Sequence, residues 1–271
     1  MSNDALASVE IFGVPLVYER RGIGSPLVLI HEGIGDLRMF NLQIDAFAQR
    51  HEVIRYDLHG FGESGKPQIP FSHHEALKQL LDHLGIERTA LLGMSIGGQV
   101  AVDFTLTYPD HVQAIVLAAA GLDDNAPPDE ETMRLVQPLI EASNAKDYAR
   151  LNEAEIHLWV DGPKRTPGQV DPAVRQLMLE LNAGDLRRSL EPGPDPTPLD
   201  PPAITRLGEI AIPTLVIVGD GDVPGIVRQA DLLANSIPGA RKVVFPDVAH
   251  VPNLERPEAF NRAVLDFLNE R

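Results

Sequence analysis

The sequence contains no cysteine, which excludes disulfides, thiolate metal sites and cysteine nucleophiles. It also lacks any long apolar run. The longest, Ala114 to Ala120 and on through Leu122, is far too short to span a membrane as a helix. Basic residues are few, 23 Lys and Arg against 39 Asp and Glu, for a net charge of −16. A surface of that sign repels polyanions, so nucleic acid and polyphosphate ligands are disfavoured as partners. The opening Met1-Ser2-Asn3-Asp4 is polar and acidic, with no basic stretch leading into an apolar core, and reads as cytoplasmic rather than secreted. No internal repeat at a period of roughly 20–50 residues is present. What the chain does have is 271 residues, 44% of them hydrophobic and 23% charged. That mix suits a globular protein with a proper core, as one large domain or a domain carrying an insertion.

Short aliphatic runs alternate with longer amphipathic stretches. Val9–Ile11 and Leu16–Tyr18 around Phe12-Gly13-Val14 predict an opening hairpin. Leu27-Val28-Leu29-Ile30 predicts a strand covered on both faces. Asp36 to Arg50 has a helical pattern, followed by the strand Val53–Tyr56. His73 to Leu84, with Leu77, Leu80, Leu81 and Leu84, has the spacing of an amphipathic helix, and His73, His74 and His83 are assigned to its solvated side. Thr89–Leu92, Ala114–Ala120, Thr214–Val218 and Lys242–Phe245 predict further strands; Ile96–Thr107, Ile226–Asn235 and Pro257–Leu268 predict helices. This alternation is the signature of an α/β fold with a parallel sheet between helices. Between Gly121 and Leu207 the rhythm breaks into helical patterns and then a proline-rich stretch from Pro192 to Pro202. The expected organisation is a core of residues 1–121 and 207–271 with a helical cap inserted over 122–206.

Gly93-Met94-Ser95-Ile96-Gly97 is a G-x-S-x-G motif between a predicted strand and a predicted helix. That context favours a nucleophile on a tight strand–helix turn over an ordinary glycine-rich turn. A serine hydroxyl attacks only when a base takes its proton, and the base needs an orienting carboxylate. His250 follows the last predicted strand and precedes the final helix, which puts it at the same sheet edge as Ser95. Asp222 follows the strand Thr214–Val218 and is the preferred carboxylate, with Asp220, Asp123 and Asp124 as alternatives. His51, His59, His111 and His157 have no nucleophile context.

The chain resembles the α/β-hydrolase superfamily, in its small esterase and lactonase branch. The resemblance rests on Leu29-Ile30-His31, on Asp57-Leu58-His59-Gly60-Phe61-Gly62-Glu63-Ser64, on Gly93 to Gly98, and on Pro213 to Gly219 with Asp222. It continues through His250 to Phe267-Leu268. It implies a mostly parallel eight-stranded sheet, a helical cap, a triad of Ser95, Asp222 and His250 in that chain order, and no cofactor or metal. The backbone N–H of Ile96, at a helix N-terminus, is one expected oxyanion donor. The resemblance puts the other on Gly33. Its usual His-Gly turn reads His31-Glu32-Gly33 here, so a carboxylate stands beside the oxyanion position, either turned into a salt bridge or shaping substrate choice. Trp159, the single tryptophan, is expected to line the substrate pocket or to pack the cap on the core. The expected activity is hydrolysis of a small carboxylic ester or lactone through an acyl-enzyme. The alternatives are C–C bond hydrolysis, amide or peptide hydrolysis, and a hydrolase-derived small-molecule receptor.

Overall fold

Side chains alternate across a strand, so an unbroken apolar run requires cover on both faces. In β3 (Ser25–Ile30) Val28 and Ile30 join one core, while Leu27 and Leu29 join the other. The computed structural model describes residues 6–123, 129–188 and 191–270. Its single sheet has eight strands, β1 (Ala7–Ile11), β2 (Val14–Arg21), β3, β4 (His51–Tyr56), β5 (Thr89–Met94), β6 (Val112–Ala118), β7 (Thr214–Gly219) and β8 (Arg241–Phe245). They lie in the order β1-β2-β4-β3-β5-β6-β7-β8. The hairpin β1–β2 and the β2–β4 pair are antiparallel, and every other pair is parallel. One face packs against α2 (His73–Leu84), α3 (Ile96–Thr107) and α7 (Pro224–Ser236) through residues such as Leu77, Phe104 and Leu233. The other packs against α1 (Ile44–Phe47) and the helix Pro257–Asn269 through Phe47, Phe260 and Phe267.

The α2 boundaries follow from its ends. The Ser72 hydroxyl accepts the Glu75 N–H, and Gly85 closes the helix at φ 69°, a conformation glycine adopts without strain. The stretch from Asp36 to Arg50 departs from the single helix that its periodicity predicts. It forms a 3-10 turn over Leu37–Phe40 and then the one-turn α1. The cause is capture of its carbonyls by side chains from elsewhere. Asn253 Nδ2 donates to Met39 O (3.0 Å), the acceptor a continuous helix would give to Gln43 N–H, which bonds Phe40 O instead (2.9 Å). Arg55 and Asn261 take the carbonyls of Leu37 and Leu42 in the same way.

Between β6 and β7 the described residues carry α4 (Glu130–Asn144), α5 (Tyr148–Ile156), a π-helical turn over His157–Asp161, and α6 (Pro172–Arg188), with no strand among them. This segment is tied to the sheet's C-terminal edge. Arg165 forms two hydrogen bonds with the Glu255 carboxylate (2.6 and 2.9 Å) and donates to Asp247 O (2.9 Å). His250 N–H donates to Trp159 O at 3.1 Å. Among the described residues no helix is long and apolar enough to cross a membrane.

Candidate active site

Ser95 sits on the turn from β5 into α3 with φ 50° and ψ −115°, a region costly for a residue with a Cβ. The flanking glycines make the turn possible. A Cβ on Gly93 would collide with the Gly97 carbonyl, and one on Gly97 would run into the carbonyls of Ile30 and His31. Strand and helix thus approach each other backbone to backbone. The half-buried Ser95 and Ile96 are left facing the rim of the sheet.

Two further loops reach the same edge. Asp222 follows β7 and His250 follows β8, and both are buried to within 2% of full cover. His250 Nδ1 meets Asp222 Oδ2 at 2.8 Å, and Asp222 Oδ1 accepts the Val223 N–H at 2.7 Å. With Asp222 as acceptor, Nδ1 carries the proton and Nε2 is the free base. Burial pulls the imidazole pKa down, but the Asp222 charge, its hydrogen bond and the Glu32 carboxylate outweigh it, so the net movement is upward. The other candidate aspartates do not take this place. Asp220 accepts the Asp247 N–H (2.8 Å), Asp123 is exposed with its N–H on Gln99, and Asp124 lies outside the described residues. No hydrogen bond joins the Ser95 hydroxyl to His250 among the described residues; such contacts are commonly long before substrate binds.

Glu32 does not turn outward. It is fully buried, neither carboxylate oxygen has a hydrogen-bond partner, and Oε2 lies 3.8 Å from His250 Nε2. Burial raises its pKa to about 7, against the pull of His250 and with a further push from Asp222. The turn that carries it is fixed by His31, also fully buried. His31 Nε2 accepts the Leu58 N–H (2.9 Å), so Nδ1–H donates to Glu32 O (2.6 Å). Burial lowers the His31 pKa, which keeps the ring in this neutral tautomer. The Gly33 and Ile96 N–H groups are taken by no hydrogen bond among the described residues. The two residues are neighbours: a Cβ on Gly33 would touch Ile96 Cγ2 at 3.8 Å.

The Asp57–Ser64 loop beside this turn is held in place by Asp57. Asp57 accepts the N–H groups of Leu37 and Glu63 (2.9 and 2.8 Å). A Cβ at Gly62, where φ is 49°, would collide with that carboxylate.

Ser95 opens on a cavity of about 590 Å³ whose walls include Val100, Leu122, Trp159, Leu199 and Ile226. Trp159 both lines this cavity and packs against His250, with ring centroids 4.7 Å apart and the planes tilted by 45°. The assignment of His73 and His74 to a solvated helix face is corrected by the structure. They are only 7% and 8% exposed, and both line the same cavity. The signal was present, since His73 and His74 precede Leu77 by four and three residues and so share its apolar face. Asp185, on α6 in the same neighbourhood, carried no signal in the sequence. Among the described residues no group of three or more His, Asp or Glu is placed to hold a metal ion.

Comparison with known proteins agrees with this architecture. The chain is 30% identical over 266 residues to a 2-hydroxy-6-oxononadienedioate/2-hydroxy-6-oxononatrienedioate hydrolase of Paraburkholderia phymatum, covering 93% of this chain and 90% of that protein. Among solved structures, an N-acyl homoserine lactone degrading enzyme, Est816, matches with a TM-score of 0.77 and 26% identity, over 96% of this chain and all of that one. A hydrolase from Pseudomonas aeruginosa matches with a TM-score of 0.77 and 29% identity over 97% and 98% of the two chains. The sequence profile of the alpha/beta hydrolase family matches residues 27–263. With its eight-stranded sheet and its serine turn at the end of β5, the chain belongs to the alpha/beta hydrolase family.

Proposed function

We propose that this hydrolase cleaves small carboxylic esters or lactones with Ser95 as nucleophile, His250 as general base and Asp222 as the group that orients the imidazole. The observation that carries this reading is the buried 2.8 Å contact of Asp222 with His250 Nδ1, which leaves Nε2 as a base at the edge where Ser95 projects. Ser95 Oγ attacks the carbonyl carbon as its proton passes to His250 Nε2. The negative charge forming on the carbonyl oxygen is met by the unused N–H groups of Ile96 and Gly33, the first at the positive end of α3. His250 then protonates the leaving alkoxide. In the second half it takes a proton from water, which attacks the acyl-enzyme and frees the acid. In this reading the helices between β6 and β7 act as a cap, and Trp159 and the aliphatic wall hold an apolar arm of the substrate. This reaction calls for no cofactor.

A second reading, C–C bond hydrolysis, is favoured by the relative from Paraburkholderia phymatum, which is named for a dienedioate substrate. Against it stands Val251 directly after His250, where carbon–carbon bond hydrolases of this fold often carry a tryptophan. The net charge of −16 also disfavours a dicarboxylate. The two readings separate on purified protein given p-nitrophenyl alkanoates, lactones and a dienedioate in parallel. Ester or lactone turnover that falls by about four orders of magnitude in Ser95→Ala, with the circular dichroism spectrum unchanged, is the expected result. Retained turnover in that variant, or turnover of the dienedioate alone, refutes the ester and lactone reading.

A further inference from the structure

A second cavity of about 400 Å³ adjoins the apolar one, and the two share Ile96, His73 and Pro196 in their walls. Gly33 lines it as well, so it begins at the turn assigned to the oxyanion. Three of its side chains, His59, His73 and Asp185, are 2%, 7% and 6% exposed, and each has a buried polar atom without a partner. These atoms are His59 Nε2, His73 Nδ1 and Asp185 Oδ2. Unpartnered buried polar atoms are costly, and here three of them belong to residues that line one cavity beside a nucleophile.

Their chemistry defines the occupant. His59 Nδ1 lies 3.1 Å from Gly65 O and therefore carries the proton, which leaves Nε2 as a lone-pair acceptor. Burial lowers the pKa of His59 and brings that of His73 to about 3, so neither ring is charged at neutral pH. Asp185 Oδ1 accepts the Gly62 N–H at 3.2 Å. Burial, with smaller pushes from Asp36 and Asp57 against the pull of Arg38 and the Gly62 hydrogen bond, raises its pKa to about 8. Its Oδ2 is then an O–H donor at neutral pH. Two cations, Lys66 and Arg188, also line this wall. Lys66 donates to Glu191 O (3.1 Å), and Arg188 lies 3.7 Å from both Glu63 and Glu191.

We infer that this cavity is a second substrate subsite, which takes an uncharged arm able both to donate and to accept a hydrogen bond, a hydroxyl or a carboxamide, through His59, His73 and Asp185. The inference rests on Ser95 as the attacking group and makes the substrate bipartite: an apolar arm on the Trp159 side of the scissile carbonyl and a neutral polar arm on the Asp185 side. A carboxylate arm would meet the field of Asp36, Asp57 and Glu155.

The test is binding to the Ser95→Ala protein, measured by calorimetry at pH 7 with ligands that differ in one group. On the acyl side, propyl ω-hydroxyhexanoate is compared with propyl heptanoate, monopropyl adipate and propyl ω-aminohexanoate. On the alcohol side, ω-hydroxybutyl butyrate is compared with pentyl butyrate. In one of the two series the hydroxylated ester is expected to bind about 10-fold tighter than its methyl counterpart, or more. Asp185→Leu and His73→Leu, each made in the Ser95→Ala background, should bring that ratio close to one. Asp185→Asn, which keeps an acceptor for Gly62 and a donor for the ligand, should preserve it; a purely structural aspartate would not separate the two substitutions. The His73 side chain makes no hydrogen bond among the described residues, and its Nδ1 is buried without a partner, so its variant keeps the test open should Asp185→Leu fail to fold. The proposal is overturned if neither hydroxylated ester is preferred, if the preference survives both leucine substitutions, if a charged analogue binds tightest, or if none of these ligands binds. Turnover of the same esters by the unmutated protein tests the hydrolase reading separately. A preserved binding ratio without turnover removes the reaction and keeps the subsite, and turnover without the ratio does the reverse.

Discussion

Glu32→Gln is the perturbation whose size follows most directly from the structure. The Glu32 carboxyl is fully buried with neither oxygen hydrogen-bonded, and its pKa moves from 4.5 to about 7. A group whose pKa is raised by folding favours the folded state in its protonated form. Its contribution is complete below the unfolded value near 4.5 and is lost as the pH climbs through about 7. At 1.36 kcal/mol for each unit between the two values, wild type loses about 2.5 kcal/mol between pH 5 and pH 8 that a glutamine at this position does not lose. Urea unfolding of both proteins at several pH values across that window measures the difference. The stability gap should open in favour of Glu32→Gln as the pH rises. A gap that stays constant within about 0.5 kcal/mol from pH 5 to pH 8 would show that the carboxylate is not carrying an uncompensated charge in the fold. The same variant reports on catalysis. Opposite charges 3.8 Å apart attract by about 1 kcal/mol at the dielectric constant of water and about 4 kcal/mol at an effective value near 20. Removing the carboxylate therefore lowers the pKa of His250 to the extent that Glu32 is ionised, about half at pH 7, and the acid limb of kcat/KM should move to lower pH.

Three other outcomes are expected. Asp222→Asn should lower kcat for ester hydrolysis by about four orders of magnitude with little change in KM, because Nδ1 loses its charged acceptor; steady-state kinetics on a p-nitrophenyl ester checks this, and a drop below tenfold counts against Asp222 as the orienting group. Gly97→Ala should destabilise the fold by about 3 kcal/mol or more, since its Cβ would meet the His31 carbonyl at 2.6 Å and the Ile30 carbonyl closer still; thermal denaturation reads the shift, and an unaltered midpoint would mean that strand and helix are free to separate there. Arg165→Met should cost about 3 kcal/mol by leaving Glu255, 5% exposed, without its partner; urea unfolding measures it, and a neutral result would show that the pair does not tie the inserted helices to the His250 loop.

The elements that could be read from the chain are those whose cause is local. The helices His73–Leu84 and Ile96–Thr107 fall on their predicted residues, because the apolar spacing, the Ser72 cap and Gly85 lie within the segments themselves. The tight turn at Ser95 was legible for the same reason, as Gly93 and Gly97 are needed within two residues of it. The break in the stretch from Asp36 to Arg50 was not legible, because the side chains that take its carbonyls come from Arg55, Asn253 and Asn261.

The sequence by itself thus determined the sheet, the order of its elements and the sites from which Ser95, Asp222 and His250 project, since periodicity and turn chemistry act over a few residues. Only the tertiary structure decided which aspartate meets His250, that Glu32 lies buried beside the same imidazole, and that His59, His73 and Asp185, each with an unpartnered polar atom, line one cavity. Those facts depend on loops and helices far apart in the chain meeting at one edge of the sheet, where burial rather than residue type sets charge and hydrogen bonding.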